Sequence, residues 1–361
     1  MTNKYAVYII RKTILKGEAA VSQLRSFGHL PDGREVQCIR LTDGELSCEV
    51  LTYGATLRSL CVPDRGGHST DVVLGFDHME DYLSHDAHFG GTVGRFANRI
   101  AHGRFTLNGV TYQLPCNDGE NHLHGGPDGF DRVLWTAERL RDNDVTLFYR
   151  SPDGEMGYPG NLEVRATYAL EGQRLRMHWE AVSDRDTLCS LTNHAYWNLS
   201  GHGSGDVLDQ ILQLDASFYT PSDARLIPTG EIAPVADTPM DFQTPTPIGA
   251  RIHHPFPALA IAGGYDHNYV LDQNSCARAW SERSGISLTL TTDCPGVQLY
   301  TGNFLGNTPP GKNGAKYPRF GGFCLEPQAF PDAPNHSAFP SAVLKAGERW
   351  ERTTVIAFGI I

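Results

Sequence analysis

Glu326 closes the apolar run Phe323-Cys324-Leu325 and is followed by Pro327-Gln328. A carboxylate seldom sits in such surroundings without a partner or a task. His194 has a comparable setting, in Leu191-Thr192-Asn193-His194-Ala195-Tyr196-Trp197-Asn198-Leu199. Further polar side chains cluster with Gly, Pro or aromatic neighbours in Gly94-Arg95-Phe96-Ala97-Asn98-Arg99-Ile100, Asn121-His122-Leu123-His124-Gly125-Gly126, Gly264-Tyr265-Asp266-His267-Asn268 and Pro295-Gly296-Val297-Gln298-Leu299-Tyr300. A carboxylate and an imidazole brought together can take up and return a proton near neutral pH, the requirement of general acid–base catalysis. Each residue also has a plainer reading. Glu326 fits an edge position or a salt-bridged core, and His194 a hydrogen-bonded structural histidine. Arg99 fits the surface beside Arg95, and Asp266 and Gln298 fit turn or strand positions.

His122-x-His124 raises the question of metal. Alternate residues of a strand share a face, so two imidazoles at this spacing could hold one ion. A metal-binding jelly roll adds a further His and a Glu. The sequence offers no such carboxylate nearby, since Asp128 follows two glycines and a proline. The expectation is a site without metal.

These residues must be held by strands. Runs rich in β-branched and aromatic residues recur at Val145–Arg150, Leu162–Leu170, Leu175–Val182, Ile286–Thr291 and Thr353–Phe358. In Leu175-Arg176-Met177-His178-Trp179-Glu180-Ala181 every second residue is apolar, the period of a half-buried strand. Asn108-Gly109, Asp153-Gly154, Glu171-Gly172 and Pro295-Gly296 mark turns. Met79–Ser84 is the one segment read as a short helix. The fold class is mainly β, a large antiparallel β-sandwich. It forms one domain over residues 26–361, preceded by an extension over residues 1–25.

The 361 residues carry 30 Lys and Arg against 41 Asp and Glu, a net charge of −11. That balance argues against nucleic acid and anionic membranes, both of which favour a basic face. The eight cysteines are scattered, without CxxC pairs, and read as reduced, buried thiols of a cytoplasmic protein. Near the N-terminus the longest apolar stretch, Tyr5 to Ile10, is too short for a signal-peptide core or a membrane span.

Taken together, GRFANRI, NHLHGG, DGEMGYPG, LTNHAYWNLSG, YDHNY, PGVQLYTGN, GKNGAKYP and FCLEPQAFPDAPN resemble, in order and spacing, the galactose mutarotase family of aldose 1-epimerases. The resemblance runs from about Phe27 to Ile361. It implies a galactose-mutarotase-type β-sandwich with an open cleft on one sheet, no cofactor, and a small aldose as the partner of a monomer or weak dimer. Position by position, it implies that Glu326 is the catalytic base and His194 the catalytic acid. It also implies that Asn98, Arg99, His124, Asp266 and Gln298 contact the sugar and that Tyr196 is a wall residue. Residues 1–25 have no counterpart in the family core.

Mutarotation would need the C1 hydroxyl to lose a proton while the ring oxygen gains one, with no redox step. At ordinary values of roughly 4.3 for Glu and 6.5 for His, the singly protonated pair dominates only between those values. A His194 pKa raised by nearby carboxylates would carry activity to neutral pH. Two other functions compete. Asp266 and Glu326 could be the carboxylate pair of a glycosidase, or the chain could bind sugar without catalysis. Relatives acting on sugar 6-phosphates are disfavoured, because the motifs hold no basic cluster suited to a phosphate.

Overall fold

A computed structural model describes residues 23–272 and 276–361. The molecule is mainly antiparallel β, with 43% strand and 9% helix among the described residues. Its largest sheet has nine strands in the order 136–140, 144–151, 162–170, 174–183, 349–360, 286–292, 276–280, 211–214 and 246–247. The final strand, Arg349–Ile360, therefore lies mid-sheet, paired on one side with Arg174–Ser183 and on the other with Ile286–Thr292. The alternation read from the sequence sets the faces. Leu175, Met177, Trp179 and Ala181 are buried, while the intervening residues lie nearer solvent.

Two further sheets share the same core. One runs through 24–29, 35–43, 46–51, 56–63 and 69–71; the other is ordered 196–197, 323–328, 296–300, 266–270, 218–219 and 233–234. An antiparallel bridge between Val73 and Trp197 joins them. Leu57 and Leu60 from the first, Val297, Leu299, Phe323 and Leu325 from the second, and Trp179 and Met177 from the nine-stranded sheet belong to one buried cluster. Burying each such side chain contributes roughly 1.5–3 kcal/mol, so this shared core fixes the six-stranded sheet rigidly.

Because strand side chains alternate, the residues between those core positions point to the opposite face. Register lines them up. Asn268 stands opposite Gln298, and Gln298 opposite Glu326. In the adjacent row Asp266 faces Tyr300, Tyr300 faces Cys324, and Cys324 faces Tyr196. Four chain-distant segments thus deliver their polar groups to one surface.

Met79–Ser84 is helical, as expected, and a second six-residue helix, Pro257–Ala262, was not read. The first strand begins at Leu24, and Leu24 and Arg25 pair with Ile39 and Cys38, so the sheet starts ahead of residue 26. Residues 1–22, most of the expected extension, lie outside the described residues. All seven described thiols are free. Cys38, Cys48, Cys189, Cys294 and Cys324 are buried, but Cys61 is partly exposed and Cys116 exposed, which corrects the uniform burial expected. No described helix is long and apolar enough to cross a membrane.

Candidate active site

The ANRI and NHLHGG motifs meet as a two-stranded ladder, with Arg99 opposite Leu123 and Ile100 opposite His122. Asn98 and His124 then lock together. The His124 amide donates to the Asn98 carbonyl at 3.1 Å, and the Asn98 amide donates to His124 Nδ1 at 3.2 Å. Both residues adopt left-handed backbone conformations, φ 67° and 52°. Such strain persists only where surroundings impose it, commonly at functional sites. Gly125 explains why glycine follows: at φ +88°, a Cβ there would lie 1.7 Å from the Gly94 carbonyl oxygen.

His194 lies between the short strands Thr192–Asn193 and Tyr196–Trp197. Its amide donates to the Gly91 carbonyl, and its carbonyl accepts the Gly90 amide, both at 2.9 Å. Tyr196 stacks on the imidazole at 5.1 Å between centroids. The ring places Nδ1 3.6 Å from Cys324 Sγ and Nε2 3.8 Å from Glu326 Oε2. Glu326 is 2% exposed and His194 5%. Glu326 Oε2 and Gln298 Oε1 are both buried without a hydrogen-bond partner among the described residues.

Arg99 and Asp266 form the opposite side of the site. Arg99 Nε donates to Asp118 at 2.7 Å, and its Nη1 lies 3.8 Å from Asp266 Oδ2. Asp266 Oδ1 accepts from Gln298 Nε2 at 2.6 Å. These ties engage both carboxylate oxygens of Asp266, which weakens its case as a free acid of a glycosidase pair. Asn98, Arg99, His124, His194, Tyr196, Asp266 and Glu326 line one cleft of about 650 Å³, and Gln298 joins it through Asp266.

The electrostatics correct one expectation. Burial, followed by the neighbouring His88, pushes the His194 pKa down to about 3 rather than up. Burial first, then Asp266, raises Glu326 well above the carboxylate range, while Arg99 opposes this. Burial likewise raises Asp266, against Arg99 and Gln298. Low dielectric disfavours the charged form of each group. Both shifts favour the uncharged forms, Glu326–COOH and neutral His194. That state holds the same single proton as a carboxylate facing an imidazolium.

The face-sharing weighed for His122 and His124 does not occur. The strand ends at Leu123, and the left-handed turn at His124 sends the rings apart. His122 Nε2 meets the Tyr158 hydroxyl and Nδ1 the Pro115 carbonyl, both at 2.7 Å, away from the cleft. His124 instead joins His194 and Glu326, their ligand-capable atoms all within 4.8 Å of one another. Hydrogen bonding sets this group against a metal. His124 is held neutral by burial, and its Nδ1 accepts the Asn98 amide proton. Nε2 therefore carries the hydrogen and presents a donor to the cleft instead of a lone pair.

Sequence reasoning assigned no role to His88, Tyr300 or Phe304, which also line the cleft. Tyr300 sat inside a recognised motif, and the ladder places it between Asp266 and Cys324. Phe304 is 70% exposed, an aromatic platform at the cleft. His88 had no local signal, because its partner Asp131 lies 43 residues away.

Known proteins resemble the chain over most of its length. The aldose 1-epimerase family model matches residues 37–357. Galactose mutarotase from Mus musculus is 45% identical over 341 residues, covering 92% of this chain and 97% of the relative. The crystal structure of a GalM/aldose epimerase homologue from C. elegans superposes with a TM-score of 0.83 at 32% identity, over 90% of this chain and 99% of that one. Galactose 1-epimerase from Lactobacillus acidophilus also gives 0.83, at 30% identity over 93% and 98% of the two chains. With a match of this extent and the same sandwich beneath the cleft, the chain belongs to the aldose 1-epimerase family.

Proposed function

We propose that the chain interconverts the α and β anomers of free aldohexoses such as galactose and glucose, with Glu326 and His194 as the proton-transfer pair. The observation that carries this reading is the buried, unpartnered Glu326 Oε2, 3.8 Å from His194 Nε2. The two groups are close enough to serve adjacent oxygens of one sugar ring, the C1 hydroxyl and the ring oxygen. In the opening step Glu326 takes the C1 hydroxyl proton, C1 becomes an aldehyde carbon as its bond to the ring oxygen breaks, and His194 protonates that oxygen. Rotation about C1–C2 presents the other carbonyl face, and closure returns both protons.

Burial gives this cycle a physical logic. Opening begins from carboxylate and imidazolium and ends with Glu326 protonated and His194 neutral. That end state is the one the low-dielectric cleft favours, so the open-chain sugar is accompanied by the pair's preferred charge distribution. Arg99, Asn98, His124, Asp266 and Gln298 are the hydroxyl-binding groups in this account, and Tyr196 holds the His194 ring. Fixing the sugar among them supplies the orientation part of the rate enhancement. The chemistry breaks and re-forms one C–O bond with proton transfers and no redox change, so it calls for neither metal nor nicotinamide. A neutral sugar suits an acidic chain, and we place the enzyme in the cytoplasm as a monomer or weak dimer.

Polarimetry on freshly dissolved α-galactose and α-glucose, with methyl glycosides as controls, tests the assignment. The expected result is faster approach to anomeric equilibrium with the glycosides left intact. Glycoside cleavage, or sugar binding without acceleration, would overturn it.

A further inference from the structure

His88 lines the cleft beside the proposed catalytic pair, in a left-handed conformation with φ 54°. Its ring lies 4.8 Å from that of His124 and 5.7 Å from that of His194, stacked on the latter at 29°. Its Nδ1 is 2.7 Å from Asp131 Oδ2. The Asp131 side chain is 6% exposed and His88 12%. Two glycines make room for Asp131: a Cβ on Gly91 would lie 2.6 Å from its Cβ, and one on Gly54 2.3 Å from its carbonyl oxygen. The fold thus sets a buried carboxylate behind one imidazole of the cleft, a feature the proton-transfer pair does not require.

The geometry points to a hydroxyl-reading clamp in which Asp131 positions His88 so that His88 Nε2 accepts from one substrate hydroxyl while His124 Nε2–H donates to the same hydroxyl. The argument rests on tautomers. Burial raises the Asp131 pKa, but its hydrogen-bonded contact with His88 and the nearby Arg132 bring it below the ordinary carboxylate value. A carboxylate only accepts, so a His88 proton facing it sits on Nδ1, and with a single proton on the ring Nε2 offers a lone pair. Nδ1 is the ring nitrogen that meets Asp131, and the ring lines the cleft. At His124 the backbone amide of Asn98 enforces the reverse assignment. Two adjacent imidazoles therefore present opposite polarity, and a hydroxyl, one donor with two lone pairs, satisfies both at once. The other charged or titratable neighbours of His88 are His194 across the cleft, Arg132, 4.0 Å from Asp131 Oδ2, and His85, which also lines the cleft.

The clamp rests on the proposed mutarotase reading, so acceleration of galactose mutarotation by the unmodified protein is measured first and tests that reading alone. The clamp is tested by ratios of kcat/KM for galactose against monodeoxy- and monodeoxyfluoro-galactoses that keep the C1 hydroxyl, at about pH 8, above the ordinary histidine value of roughly 6.5. At one ring position both analogues should lose about 5- to 100-fold, the range for stranding a buried partner. His88→Phe should shrink that penalty to within about 3-fold, whatever it does to the parent sugar. Asp131→Asn offers Nδ1 a donor and moves the proton to Nε2, so the fluoro analogue, which can only accept, should recover relative to galactose while the deoxy analogue does not. Unchanged ratios in both variants would reduce His88 to a packing residue. Nitrogen-15 NMR of the histidines in the unmodified protein gives a check independent of any variant's folding. Protonation at Nδ1 of His88 and at Nε2 of His124 is expected, and the same tautomer at both would overturn the clamp.

Discussion

The depressed basicity of His194 makes a quantitative prediction. Its value of about 3 lies ~3.5 units below the ordinary histidine value, equivalent to about 5 kcal/mol against the protonated ring at ~1.36 kcal/mol per unit. The largest cause is burial, and Tyr196 covers the ring, stacked on it at 5.1 Å. Tyr196→Ser removes the aromatic cover and admits water. The Glu326–His194 pair holds one proton in both working states, so activity fails on the acid side when a second proton arrives at His194. In the unmodified enzyme that occurs only as pH falls toward about 3. In the variant the acid limb of kcat/KM should move up by roughly one to two units, because hydration restores the charged form. Polarimetric rates on galactose from about pH 2.5 to 8, with circular dichroism at each pH to confirm folding, read the shift directly. An acid limb near the ordinary value of about 6.5 in the unmodified enzyme, or one unmoved by Tyr196→Ser, would refute the reasoning.

Other consequences follow from the same structure. His122 is fully buried with its pKa lowered to about 4. Its contribution to stability is complete above the unfolded value of ~6.5 and is lost as pH falls toward the folded one, about 3 kcal/mol in all. His122→Phe should therefore flatten the decline of the unfolding free energy between about pH 6.5 and 4 in denaturant titrations; an unchanged slope would place the ionisation elsewhere. Gly125→Ala should cost roughly 1–3 kcal/mol of stability and displace His124, seen as a lower Tm together with slower mutarotation. Exhaustive chelation should leave the rate unchanged, since His124 presents a donor to the cleft; loss of activity restored by zinc or manganese would contradict this.

How much of this was legible in the sequence depended on distance along the chain. The strand at Arg174–Ser183 was visible because its alternation is local and repeats over four apolar positions. The helix Pro257–Ala262 escaped because PALAIA spans under two turns and shows no period. Glu326, His194, Asn98, Arg99, His124, Asp266 and Gln298 were marked by their motifs, but their convergence depends on strand register, which no local pattern specifies. The pairing of His122 with His124 failed for a local reason: alternation holds only while the strand continues, and here it ends at Leu123. The expected rise in His194 pKa failed because neighbouring carboxylates were counted and burial was not. His88 and Asp131 could be joined only by the fold.

The central claim is that Glu326 and His194 act as one proton-transfer unit, and Glu326→Gln tests it most directly. The substitution preserves shape and removes the base. The kcat for galactose mutarotation should fall by at least ~10²-fold while the protein stays folded. His194→Asn should do the same, and the double variant should be little worse than the poorer single one, because members of a catalytic unit are not additive. Near-normal turnover by folded Glu326→Gln would place the base elsewhere and contradict the account at its core.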